Sequence, residues 1–221
     1  MVSSRLRGEN VTKSDSTTLF LVRHGETVAN AEMKICGASE SPLTDGGLRR
    51  VRELAEKIRA FPFDVAFTSP LERARLTCGA IWDGRDKEAI VLDDLREQEF
   101  GQWEGLSFKE ITGKDADAFR RFYKDPLHAK APGGEAFSTF FERVRRAVFD
   151  EMIAGNRGRR ILCVCHGGSI RAALCHLLDL DVQRHYFRFT ITNATVNVVR
   201  LGTKGARLFG LGLADLSHLD L

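Results

Sequence analysis

Two short runs of apolar residues limit what this chain can fold into more than anything else in it. Leu19-Phe20-Leu21-Val22 and Ile161-Leu162-Cys163-Val164-Cys165 are apolar at every position. A strand with one wet face would alternate, so unbroken runs of this length predict strands covered on both faces. Helices able to supply that cover lie between and after the two runs. Leu48, Val51, Leu54, Ala55 and Ile58 recur at helical spacing behind Thr44 and Asp45, and Pro62 closes that segment. Val65-Ala66-Phe67 reads as a strand, Leu71 to Trp82 as a helix and Ala89 to Leu92 as a further short strand. Glu135 to Ile153 reads as one long helix with Phe137, Phe140, Phe141, Val144, Val148 and Met152 on its apolar face. A helix from Ser169 to Leu178 follows the second run, and Thr195–Leu201 with Ala206–Leu211 reads as a terminal strand pair. Strands alternating with helices predict a mostly parallel sheet with helices on both faces, with an antiparallel edge near the C-terminus. The expected organisation is a single domain over 19–221 behind a disordered polar tail at 1–18, with a short helical cap over 106–132.

Composition removes several functional classes. A net charge of +3 over 221 residues is too small to argue for nucleic-acid or membrane binding. No apolar run approaches the ~20 residues a membrane-spanning helix needs. Residues 1–18 contain no apolar signal core. Five cysteines without a secretory signal predict free thiols in a reducing compartment, hence a cytoplasmic protein. Cys163 and Cys165 point the same way along one strand, either as small buried side chains or, with His166, as metal ligands. No paired zinc-ligand spacing and no Walker-type phosphate loop is present, so neither a metal nor a cofactor is called for. The sequence leaves the oligomeric state open between monomer and dimer.

The chemistry gathers where predicted strands end. The first run delivers Arg23 and His24 together, followed by Gly25, and ligands of open α/β sheets bind at carboxyl ends of strands. A neutral imidazole can attack phosphorus, and an adjacent guanidinium can hold two phosphoryl oxygens. Neighbouring arginines lower a histidine's pKa and favour the attacking form. Thr68-Ser69 ends a second strand, with Arg73 and Arg75 in the helix after it. The central run ends at His166, followed by Gly167 and Gly168 at a helix start suited to anions. A protonated His166 would donate to a phosphoryl oxygen. Glu97, Glu99 and Glu104 compete as proton donor to a leaving oxygen.

Taken in order, Arg23-His24-Gly25, Ser69-Pro70-Leu71-Glu72-Arg73-Ala74, Leu95-Arg96-Glu97 leading to Gly101-Gln102-Trp103-Glu104-Gly105, and His166-Gly167-Gly168 closely resemble the histidine phosphatase, or phosphoglycerate mutase-like, superfamily. The resemblance runs from about Leu19 to Leu178, most of the chain. It implies a three-layer α/β/α sandwich and a metal-independent phosphatase acting on small phosphorylated metabolites through a phosphohistidine. It picks His24 as nucleophile, Glu97 as proton donor, and Arg23, Arg73 and His166 as holders of the phosphoryl group, with Gly167 beside them. Thr27 and Asn30 match positions that hold the phosphate and its loop. Cys36 stands where the family often has a glutamine, and a thiol is a poor donor. The closing blocks look most like the small bacterial phosphatases, α-ribazole phosphatases among them. Phosphoglycerate mutase, a non-catalytic phospholigand-binding module and a zinc hydrolase are the competing readings.

Overall fold

The computed structural model describes residues 16–125 and 128–219. Most of the expected tail at 1–18, and Pro126 within the expected cap, lie outside the described residues. The tail reading is corrected at its end: strand β1 is Thr17–Arg23, so Thr17 and Thr18 are buried in the sheet.

The chain then runs through α1 (Val28–Ala31), α2 (Asp45–Ile58), β2 (Val65–Thr68), α3 (Glu72–Trp82) and β3 (Ile90–Val91). A long helix α4 (Phe108–Lys124) follows, interrupted by non-helical geometry at Asp115. Next comes α5 (Phe137–Arg146), which continues as a π-helical stretch, Ala147–Ile153. After it come β4 (Arg160–Cys165), α6 (Gly167–Leu177), α7 (Val182–His185), β5 (Val196–Gly202) and β6 (Gly205–Leu213). The helix expected from Ser169 begins two residues earlier. The strand expected over Ala89 to Leu92 shrinks to a two-residue edge.

The six strands order as β3-β2-β4-β1-β5-β6. β1, β2, β3 and β4 are mutually parallel, and β5 and β6 run antiparallel at one edge. Leu19 and Leu21 face the core layer beneath α5 and α6, while Phe20 and Val22 face the layer beneath α2 and α3. This two-sided burial is the reason β1 carries no polar residue between Leu19 and Val22. A third small cluster, around Trp103, Ile111 and Ala118, binds α4 to the loops over the sheet edge.

Register is what positions the site. Arg23 pairs with Cys165 across β1–β4, and Thr68 pairs with Val164 across β2–β4. The next residues, His24, Ser69 and His166, therefore leave one edge together. Main-chain bonds from His24 N–H to the Cys165 carbonyl (3.1 Å) and from Ser69 N–H to the Val164 carbonyl (3.0 Å) hold them there.

Candidate active site

His24 sits at this edge, 4 % exposed, with its ring 5.1 Å from that of His166. Its Nδ1–H donates to the Gly25 carbonyl at 2.7 Å, which leaves the Nε2 lone pair directed away from the main chain. Burial, reinforced by the charges of Arg73 and Arg23, holds its pKa down to about 3. The ring is therefore neutral and unprotonated at Nε2 at neutral pH.

Two arginines flank it. Arg23 donates to the Ile191 carbonyl at 2.6 Å, while its buried Nε–H has no partner among the described residues. Arg73 is buried in the first turn of α3 and donates to the carbonyls of Ser39 (2.7 Å) and Gly37 (2.6 Å). Arg75, on the same helix, is exposed. Arg73 thus ties the Cys36–Glu40 loop to the site while keeping its charge beside His24.

His166 is fully buried, with Nε2 at 2.7 Å from Ser69 Oγ and Nδ1 unpartnered. Burial first, then the nearness of His24, which resists a second proton in the same pocket, and the charges of Arg73, Arg23 and Arg143, lowers its pKa well below the usual range. These effects oppose a second proton on the ring. Two buried nitrogens, Arg23 Nε and His166 Nδ1, lack partners among the described residues at the same edge. Unsatisfied buried polar groups are rare and costly unless a ligand completes them.

Glu97 approaches from the other side. One oxygen accepts from the Gly168 N–H at the start of α6 (2.8 Å) and the other from the Gln98 N–H (3.0 Å). A Cβ on Gly168 would lie 2.2 Å from Glu97 Oε1, so only glycine allows this approach. Glu99 is exposed. Glu104 is committed elsewhere: its carboxylate accepts from the N–H groups of Gly37, Ala38 and Phe100 and from Ser39 Oγ.

A cavity of about 360 Å³ opens beside these groups. Arg23, Asn30, Cys36, Glu97, Gly168 and Arg171 line its polar part. The rest is a wall of rings: Phe119 and Phe122 from α4, Trp103 beneath it, and Tyr123 stacked on Phe187 at 5.7 Å and 11°. Gly167 packs at 3.4 Å, Cβ position to guanidinium, against Arg23. Thr27 is buried as the N-cap of α1, its hydroxyl accepting from the Asn30 N–H, so it serves the loop. Asn30 reaches the cavity and accepts from Thr27 N–H and Asn193 Nδ2–H. Cys36 Sγ donates to the Ser39 carbonyl, and burial raises its pKa. Cys163 and Cys165 are buried in the core, sulfurs 4.0 Å apart. Among the described residues no cluster of three or more His, Cys, Asp or Glu is placed to hold a metal ion.

The sequence pattern of the histidine phosphatase superfamily (branch 1) matches residues 19–213. The chain belongs to this histidine phosphatase superfamily. Its relatives are varied. It is 35 % identical to an adenosylcobalamin/alpha-ribazole phosphatase of Salmonella typhimurium, over 73 % of this chain and 80 % of that one. It is 33 % identical to a 2,3-bisphosphoglycerate-dependent phosphoglycerate mutase 2 of Gloeobacter violaceus, over 75 % and 78 %. A solved variant of Entamoeba histolytica phosphoserine phosphatase, in complex with phosphoserine, superposes with a TM-score of 0.79 at 27 % identity, covering 90 % and 98 %.

In this histidine phosphatase the five residues expected from the sequence to form the catalytic set gather at one edge, but the sequence reading passed over several that hold them. Ser69 was quoted in its block without a role. Asn193 donates to the carbonyls of His24 (3.0 Å) and Gly25 (3.3 Å) and to Asn30, from a Thr-Asn-Ala-Thr stretch with no distinguishing pattern. Arg143, on α5, was given no role from the sequence and is buried. Its guanidinium pairs twice with Glu135 at 2.8 Å and donates to the carbonyls of Asp94, Arg96 and Glu97. The available signal was Glu135 just before α5, an acid able to pair with an arginine on the helix's buried face.

Proposed function

We propose that this protein hydrolyses small phosphate monoesters without a metal, with His24 as the nucleophile. The observation that carries the reading is the state of the His24 ring: neutral, fixed through Nδ1, and flanked by two arginines. A bound phosphoryl group would complete the unpartnered Arg23 Nε–H and accept from Arg73 and His166. Its charge is then spread over fixed donors at the moment of transfer. His24 Nε2 attacks phosphorus and the bond to the alcohol oxygen breaks, with Glu97 giving that oxygen a proton. In the second half, Glu97 takes a proton from water, the hydroxide attacks phosphorus, and the P–N bond breaks. Inorganic phosphate leaves and His24 returns neutral.

The wall of rings bears on the alcohol. Phosphoserine and phosphoglycerate offer little apolar surface, whereas Trp103, Phe119, Phe122, Tyr123 and Phe187 present flat faces to whatever leaves. Alcohols with an aromatic or other apolar body fit that lining best. A cytoplasmic setting agrees with five cysteines that form no disulfide. Among the described residues no helix is long and apolar enough to cross a membrane.

A mutase reading has the Gloeobacter relative in its favour. A mutase must shield its phosphohistidine from water while the product reorients. Here the cover is a single kinked helix, α4, and the cavity beneath it is open at the Tyr123–Phe187 pair, both rings being exposed. Steady release of inorganic phosphate from monoesters, without added metal or bisphosphoglycerate, tests the reading. Interconversion of 3- and 2-phosphoglycerate faster than phosphate release would overturn it in favour of the mutase. Absence of any turnover would favour a non-catalytic phospholigand-binding module.

A further inference from the structure

We infer that Ser69 sets the tautomer of His166, so that His166 serves the phosphoryl group as a neutral Nδ1–H donor. This goes beyond the proposed function, and rests on it only for the phosphoryl group that Nδ1–H meets. The argument is a count of donors and acceptors in a closed space. Ser69 and His166 are both 0 % exposed, and their contact is Oγ to Nε2 at 2.7 Å. Ser69 Oγ also accepts from the Leu71 N–H at 3.3 Å.

Two arrangements are open. If His166 carried its proton on Nε2, that N–H and the Leu71 N–H would both donate to Ser69 Oγ. The Ser69 hydroxyl proton would then have no acceptor, and the His166 Nδ1 lone pair would face Arg23 and Arg73 unmatched. Two buried groups would be orphaned. If the Ser69 hydroxyl instead donates to Nε2, every atom of Ser69 is satisfied. The one remaining group is His166 Nδ1–H, directed to the edge where Arg23 Nε–H is also unpartnered. Both unmatched groups are then donors, as an anion site requires.

The main chain holds this pair in place. The parallel register of β2 on β4 fixes Ser69 opposite the end of β4, and Leu71 N–H, at the N-cap of α3, occupies one acceptor position of its hydroxyl oxygen. Around the ring stand His24 and Arg23 from the end of β1, Arg73 from α3 and Arg143 from α5. Three of these four are permanent cations and none is an acid, so a second proton on the ring is opposed from every side. Ser69 is therefore a positioning residue acting through His166.

Nitrogen-15 NMR of the histidine-labelled protein at pH 7 tests this directly, with His166 assigned by its loss in His166→Gln. The expected spectrum has Nδ1 in the N–H range and Nε2 in the unprotonated range. Nε2–H, or two N–H signals of an imidazolium, would overturn the inference without any bearing on whether the protein is a phosphatase. In Ser69→Ala the expected result is loss of the Nδ1–H preference. Retention of that tautomer would show that Ser69 does not set it. Activity gives a second readout: kcat/KM should fall about tenfold to a hundredfold in Ser69→Ala.

Discussion

A histidine attacks phosphorus only while its lone pair is free, and His24 keeps that lone pair by burial, by neighbouring arginines and by tying up Nδ1. The second demand falls on Glu97, because an alkoxide leaves poorly without a proton. Glu97→Gln should lower kcat/KM on an alkyl phosphate by about a hundredfold, but on nitrophenyl phosphate by only a few-fold. Equal losses on both substrates would remove Glu97 from the proton-donor role. Gly168→Ala should resemble it, since the new methyl would occupy the space of Glu97 Oε1 and crowd the Tyr186 hydroxyl at 2.8 Å. If that variant kept full activity on the alkyl ester, the carboxylate would not need its bond to Gly168. At this scale the sequence was most legible where residue type alone names the chemistry: an Arg-His pair before glycine, a histidine before two glycines. It was least legible for charge and tautomer. Arginines around His166 were visible in the sequence, but its complete burial and its contact with Ser69 were not. Thr27, expected to help hold the phosphate and its loop, serves the loop as the N-cap of α1.

Elements matter here as carriers of strand ends. The apolar runs of β1 and β4 predicted central parallel strands because burial on both faces leaves no place for a polar side chain. Their register could not be read, since an unbroken apolar run looks the same after any slip. The loops were harder still. The segment Asp94–Glu97 is held by one guanidinium, Arg143, reaching three carbonyls, and the Gly37–Ser39 turn by one carboxylate, Glu104. Contacts with backbone carbonyls and N–H groups leave no mark in residue spacing. Arg143→Met should therefore destabilise the protein by about 3–5 kcal/mol, because Glu135 is left buried and unpaired. Chemical denaturation reads this as a lowered midpoint with an unchanged m-value. A change below about 1 kcal/mol would mean the pair is dispensable to the fold.

Across the whole molecule, the site is assembled at an expense in charge that shows itself in stability. His24, His166 and His176 all have folded pKa values below the ordinary one, in each case chiefly through burial. The unfolded chain takes up protons near pH 6.5 that the folded protein refuses, so stability should fall as pH drops below 6.5. The slope is up to about 1.4 kcal/mol per pH unit for each histidine. Unfolding free energies at pH 7, 6 and 5 check this, and His24→Gln should flatten the dependence; an unchanged slope in that variant would contradict the buried neutral ring. Organisation at this scale was legible in outline, as helices around a parallel sheet with a cap. The terminal antiparallel pair β5–β6 was legible too, whereas the trimming of β3 to two residues and the aromatic wall under α4 depended on packing between segments far apart in sequence. The claim that unites these scales is that strand-end residues make His24 a phosphoryl carrier. Rapid acid-base quenching with a labelled phosphate monoester tests it most directly. Wild type should yield an acid-labile, base-stable phosphoenzyme that forms and decays within turnover, and His24→Ala should yield none and lose nearly all activity. A fully active His24→Ala, or a labelled phosphoenzyme that persists in it, would contradict the account.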